Sequence, residues 1–150
     1  MAPRTRLLLA VVALFSLGTA LVVDALTLTD KERLEAFVED LVENRPDDRI
    51  SAALRLTDPS REPVELVDHG RRVTIGAGQE AKLSRELHQA LEAFTHGALD
   101  VVQTAVDLEG SGDRARVAVR VRSAEGYVNV LFHLSKHGED WLVRRVAVTD

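Results

Sequence analysis

The side chains in this sequence with chemistry to offer are five histidines, one tyrosine, one strand-end aspartate and several grouped arginines. Imidazole titrates near neutrality and suits general acid or base work. His69 and His137 stand in glycine-bearing turns and His96 at the end of a helical stretch, so solvent is expected around all three. His88 follows Leu87 on an amphipathic stretch and flanks its apolar side, which makes it one candidate base. Asp100 is the other, because strand alternation groups it with Val102, Thr104 and Val106 and would aim it into a cavity. A solvated end residue is its plainer role. His133 falls among arginines, where a hydrogen-bonding surface role is expected.

Other catalytic patterns are missing. There is no cysteine and no Gly-x-Ser-x-Gly elbow, so neither common nucleophile arrangement is present. The histidines show no His-x-x-x-His or His-Glu-x-x-His spacing, and neither a metal nor a cofactor is expected. Gly76-Ala77-Gly78 precedes a helical stretch but lacks the lysine and further glycines of a phosphate loop, and reads as a helix-entry turn.

Arginines supply the binding candidates. Arg114, Arg116, Arg120 and Arg122 alternate with Ala115, Val117, Val119 and Val121, placing a cationic stripe on one strand face beside Tyr127, Asn129 and His133. The stripe suits an acidic partner or a second copy, though a solvated strand face has the same pattern. Arg144 and Arg145 are consecutive in a strand, so alternation turns one of them inward. An inward arginine needs a counter-charge or an anionic ligand, since an unpaired buried cation is costly. A bulge at the strand end, or a salt bridge to Asp100, would remove that need.

The elements that must position these groups are legible from periodicity. Thr29-Asp30-Lys31-Glu32 has the form of a capping box, followed by Leu34, Phe37, Val38, Leu41 and Val42 at helical spacing. Pro46 suits a second helix start, with Ile50, Ala53 and Leu54 inward and Asp58-Pro59 as the stop. Val64–Asp68 and Arg71–Ile75 read as a hairpin around His69-Gly70. A third helix is expected from about Gln79 to His96, stopped by Gly97. Four strands follow: Asp100–Leu108, Asp113–Arg122, Tyr127–Ser135 and Asp140–Thr149. A turn at Ser123–Gly126 pairs Arg122 with Tyr127, Arg120 with Asn129 and Arg116 with His133, which gathers the valines on one face for the helices to cover.

Residues 1–25 read differently. Arg4 and Arg6 precede an apolar run from Leu7 to Val23, which is the order of a secretory signal or a membrane anchor. Cleavage after Ala25 or Ala20 fits a signal peptide; without it, the run is about as long as the shortest helices that span ~30 Å of hydrocarbon. The expected domains are therefore 1–25, signal or anchor, and 26–150, one α+β domain that is periplasmic or membrane-anchored outside the cytoplasm. A composition of 45% hydrophobic and 29% charged residues is globular, and 150 residues suffice for one core of ordinary size.

The order of elements, with Gly138-Glu139-Asp140-Trp141-Leu142-Val143 closing the chain, resembles the nuclear transport factor 2-like superfamily over Leu28 to Asp150. That resemblance implies a cystatin-like curved antiparallel sheet packed on three helices around a cone-shaped pocket. Some members are isomerases or dehydratases, while many bind, oligomerise or remain uncharacterised, so residues must decide. The ketosteroid isomerase pattern of a carboxylate base with a tyrosine and a protonated carboxyl is not matched: Tyr127, the only tyrosine, falls on the polar face.

The net charge is −5, and −6 once Arg4, Arg6 and Asp24 leave with the first 25 residues, which argues against nucleic-acid binding. The expected function is a non-catalytic binding or assembly domain. Its partner would be a second copy or another protein on the sheet face, or a small ligand in the pocket, with a membrane reached through an uncleaved first segment. Binding candidates are Arg144, Arg145, Arg116, Arg120, Tyr127 and His133. The alternative is a small isomerase- or dehydratase-type enzyme with Asp100 or His88 as its base.

Overall fold

The structure, a computed structural model, describes residues 29–43, 45–96, 99–123 and 126–150. The chain divides into two compact units, Met1–Arg33 and Leu34–Asp150. In the first unit only residues 29–33 are described, and they are helical. The apolar leader, the 25/26 boundary and Gly97 lie outside the described residues. Among the described residues no helix is long and apolar enough to cross a membrane.

Helix α1 is described over residues 29–43 and is helical at Thr29. From Leu34 onward its apolar positions recur every three or four residues, and Leu34, Phe37, Val38 and Leu41 are buried while Glu35 and Glu39 stay exposed. Helix α2 (Pro46–Arg55) begins with proline in its first turn, where the missing N–H costs no hydrogen bond. It ends three residues before Asp58, whose carboxylate instead accepts from the Ser60 N–H and hydroxyl to form a separate turn. Helix α3 (Glu80–Ala90) is shorter than expected: Leu91 leads into a 3₁₀ turn at Glu92–Phe94, which carries Phe94 into the core.

Among the described residues there are six strands: β1 (Val64–Asp68), β2 (Arg71–Ile75), β3 (Asp100–Glu109), β4 (Arg114–Ser123), β5 (Gly126–His137) and β6 (Asp140–Thr149). They form one sheet in the order β2-β1-β6-β5-β4-β3. The last four strands are the expected antiparallel meander, and Arg122–Tyr127, Arg120–Asn129 and Arg116–His133 are register partners, as the valine alternation requires. The hairpin joins the meander through a parallel pairing of β1 with β6, Glu65 beside Arg145. The sheet is therefore mixed, with one parallel pair.

The inner face is packed with apolar side chains. Val117, Val119, Val121, Val130, Phe132, Leu134, Val143, Val146 and Val148 are each exposed by 2% or less. The Phe132 ring meets Phe37 edge to face at 5.4 Å between centroids. Trp141 is buried, and the preceding Gly138 has φ +67°, which suits glycine in the β5–β6 turn.

Two bulges shift the phase of the strands. Between Val101 and Gln103 the register slips, so Val102 is the extra residue and stands 45% exposed. This corrects the face assigned to Asp100: it opposes Arg122 on the outer face, while Thr104 and Val106 oppose the inward Val119 and Val117. The second bulge lies in β6, where His133 opposes Arg145 and Leu134 opposes Val143, leaving Arg144 as the extra residue. Strict alternation would have turned one arginine inward; the bulge carries both out of the core, between the buried Val143 and Val146.

Candidate functional site

On the outer face the register sets side chains in rows across the sheet. One row runs Asp107, Arg116, His133, Arg145, Glu65 and Thr74. Another runs Gln103, Arg120, Asn129 and Thr149, and between the two lies a half-buried apolar row of Ala105, Ala118, Leu131, Ala147 and Val67.

A cleft of about 210 Å³ opens on this face, lined by Glu62, Glu65, His133, Arg144 and Arg145. Its position follows from the β6 bulge, which places both arginines beside His133, and from the parallel pairing, which brings Glu65 alongside. The Nε atoms of Arg144 and Arg145 are buried and have no hydrogen-bond partner. Arg145 Nε does lie 3.4 Å from Glu65 Oε2, close enough for Coulombic attraction but not aligned as a hydrogen bond. Glu65 also accepts an ion pair from Arg72 Nε at 3.0 Å. The His133 pKa is held below the usual imidazole value, first by partial burial, then by the charges of Arg145, Arg144 and Arg116, with Glu109 opposing. The uncharged form of the ring is therefore favoured.

Beside the cleft, Glu62, Ser135 and His137 meet, a trio with the residue types of a hydrolase triad. Glu62 Oε2 is 2.8 Å and Ser135 Oγ 3.2 Å from the same ring atom, Nε2 of His137. A relay needs the acid on one nitrogen and the nucleophile on the other. Here the carboxylate competes with the serine for a single nitrogen, and also touches Ser135 Oγ at 3.3 Å. The trio is a structural clasp between β5 and the segment before β1. His137, expected in solvent, is half-buried in it.

The predicted site residues thus divide. Arg144, Arg145 and His133 come together, with Arg116 next to His133 and bound to Glu109 at 2.6 Å. Arg120 and Tyr127 lie towards the β4–β5 turn, where the Arg120 and Arg122 guanidiniums sit 4.4 and 5.7 Å from the tyrosine ring centroid. Asp100 faces solvent beside Arg122 at 3.4 Å, and His88 is exposed on α3. Neither candidate base reaches the inner face. Among the described residues no group of three or more histidine, cysteine or acidic side chains is placed to hold a metal ion. Sequence reasoning missed Glu62 and Glu65. The outward phase of Glu65, between the buried Val64 and Leu66, was legible, but its neighbour was not.

No family model matches the sequence, and neither does any curated protein. Solved structures do resemble it. A nuclear transport factor 2-like protein of unknown function from Pseudomonas putida superposes with a TM-score of 0.57 at 10% identity, covering 81% of this chain and 87% of that one. A ketosteroid isomerase candidate from Shewanella frigidimarina gives 0.53 at 10% identity, covering 76% and 92%. A de novo designed protein with a curved β-sheet gives 0.51 at 15% identity, covering 80% and 98%. The domain has the nuclear transport factor 2-like α+β fold, a curved mixed sheet packed with helices.

Proposed function

We propose that this chain is a non-catalytic binding domain, exported or held at the membrane by its first 25 residues, which engages an acidic protein partner through the outer face of its sheet. The observation that carries this reading is the contrast between the two faces. Much of the inner face, where the resemblance implies a pocket, is filled by valine, leucine and phenylalanine side chains exposed by 2% or less, with Val101, Val106, Leu108 and Val128 half-buried at the β3 side. The outer face holds the polar cleft, the exposed Arg116, Arg120 and Arg122, and the half-buried alanine and leucine row between them.

An apolar strip flanked by cations favours a partner with complementary acidic groups, through long-range attraction and rejection of like charge. It disfavours a symmetric face-to-face dimer, which would oppose arginine stripe to arginine stripe. The isomerase-type alternative draws no support from its two candidate bases, because Asp100 and His88 are both exposed.

The test is binding of the full chain to poly-glutamate, followed by fluorescence anisotropy across a salt series, beside a variant carrying Arg116→Glu and Arg120→Glu. Salt-sensitive binding that the charge reversal abolishes supports the reading. Equal binding by both proteins overturns it, as does concentration-dependent dimerisation in sedimentation that the same reversal removes, since the face would then serve a second copy.

A further inference from the structure

The cleft has more selective chemistry than the arginine stripe. The Nε–H groups of Arg144 and Arg145 are buried without an acceptor, an arrangement that costs free energy until one arrives. Most other cations on this face are already engaged: Arg116 with Glu109, Arg72 with Glu65, and Arg122 with Asp100 and Tyr127. Arginine presents adjacent N–H donors in a planar fork that matches the two oxygens of an oxyanion. What distinguishes one oxyanion from another is the charge of the walls. Among the residues that line it, Arg144 and Arg145 are matched in number by Glu62 and Glu65 and the neutral form of His133 is favoured, so the lining carries no formal net charge; Arg72, which also pairs with Glu65, stands outside it.

We propose that this cleft binds a single carboxylate group, held in the forks of Arg144 and Arg145 with the His133 ring against it. A carboxylate brings one negative charge, and one proton taken up by His133 restores neutrality. A phosphate dianion would leave a second negative charge beside Glu62 and Glu65. The groups around His133 fix the sign of this coupling: Arg116 on β4, Arg144 and Arg145 on β6, Glu109 at the end of β3, Glu65 on β1 and Glu62 before it. The three cations oppose protonation, and a bound carboxylate cancels part of their effect. Binding therefore strengthens as pH falls towards the His133 pKa, by up to about tenfold per pH unit when one proton enters with each anion.

The proposal deepens the outer-face reading by naming the group the face would grip, either a free acid or an Asp or Glu side chain of the partner. It is tested by ¹⁵N NMR of the full chain, following the arginine Nε–H and histidine ring signals during titration with acetate, inorganic phosphate or poly-glutamate at constant ionic strength. The expected result is a saturable acetate shift at Arg144 and Arg145, tighter at pH 6 than at pH 7, lost in Arg144→Gln and kept in Arg55→Gln, whose side chain pairs with Asp40 away from the sheet. Shifts that rise linearly without saturating overturn the proposal, as does phosphate binding more tightly than acetate. Poly-glutamate shifting the same signals supports the site with a partner side chain as the source. Saturable acetate binding with no response to poly-glutamate supports it with a free acid as the source, and the acidic-partner reading alone then fails.

Discussion

Arg145 Nε stands 3.4 Å from Glu65 Oε2 across the parallel β1–β6 pair, near enough to attract and too poorly aligned to hydrogen-bond. Glu65 therefore restrains the arginine electrostatically without satisfying it, and competes with any incoming anion. Glu65→Gln is expected to tighten acetate binding at the cleft by a factor of a few. Because both side chains are partly exposed and screened, its cost in urea denaturation should stay under about 1 kcal/mol. Weaker acetate binding would mean that Glu65 helps to build the site.

The two strongly placed histidines should titrate in opposite directions. His69 bonds Asp150 through Nε2 at 2.9 Å and Asp68 through Nδ1 at 2.6 Å, which raises its pKa above 6.5; Asp150 is the larger cause. Its stabilising contribution is complete below 6.5 and is lost as pH rises through the folded value. His133 is depressed below 6.5, so its contribution is complete above 6.5 and is lost as pH falls through its folded value. Histidine C–H NMR shifts against pH should bracket 6.5 from both sides, and Asp150→Asn should move His69 back towards it while leaving His133 unchanged.

If the inner face is filled core and not a vacant pocket, truncation there should be expensive. Phe132→Ala removes a ring that is 1% exposed and packed against Phe37, and is expected to cost about 3–5 kcal/mol in urea denaturation. The bulged Val102, 45% exposed, should tolerate serine within about 0.5 kcal/mol. A small cost at Phe132 would indicate space that the packing does not use.

Arg144 is the extra residue of its bulge, so deleting it should restore plain alternation: Val143 in, Arg145 out, Val146 in. The deletion variant is expected to keep its far-UV circular dichroism and cooperative unfolding while losing the acetate response. Deleting the neighbouring Val143 instead removes a fully buried side chain and should unfold the protein.

Much of this fold was legible because its strands alternate cleanly. Val117, Val119 and Val121 on β4 and Val128, Val130 and Phe132 on β5 admit one pairing that puts apolar with apolar, and the β4–β5 register follows. The hairpin bounds were legible for a similar reason, with His69 and Gly70 both at positive φ in its turn. The β3 bulge escaped because an extra residue leaves no mark in composition, and Val102 looks like an ordinary strand position; the β6 bulge was among the alternatives that the consecutive Arg144 and Arg145 raised, and each bulge inverts the face of what lies beyond it. Asp100 was misplaced on that account. The Glu65–Arg145 contact depends on a parallel pairing between strands far apart in sequence, which no local pattern encodes. The arginines and His133 of the cleft were thus visible singly, but their meeting point was not.

The pairing of β6 with both β1 and β5 also governs when the molecule can assemble. The last strand of the sequence is an inner strand of the sheet, and the Val143 N–H further ties it to the Leu56 carbonyl near the end of α2. Until that strand is available, the hairpin and the meander have no shared hydrogen-bond ladder, and each exposes an open edge. Such long-range closure makes folding slow relative to local helix formation. The sheet therefore stays incomplete until β6 is in place, and a truncation that removes β6 is a loss to the whole sheet, not to its rim.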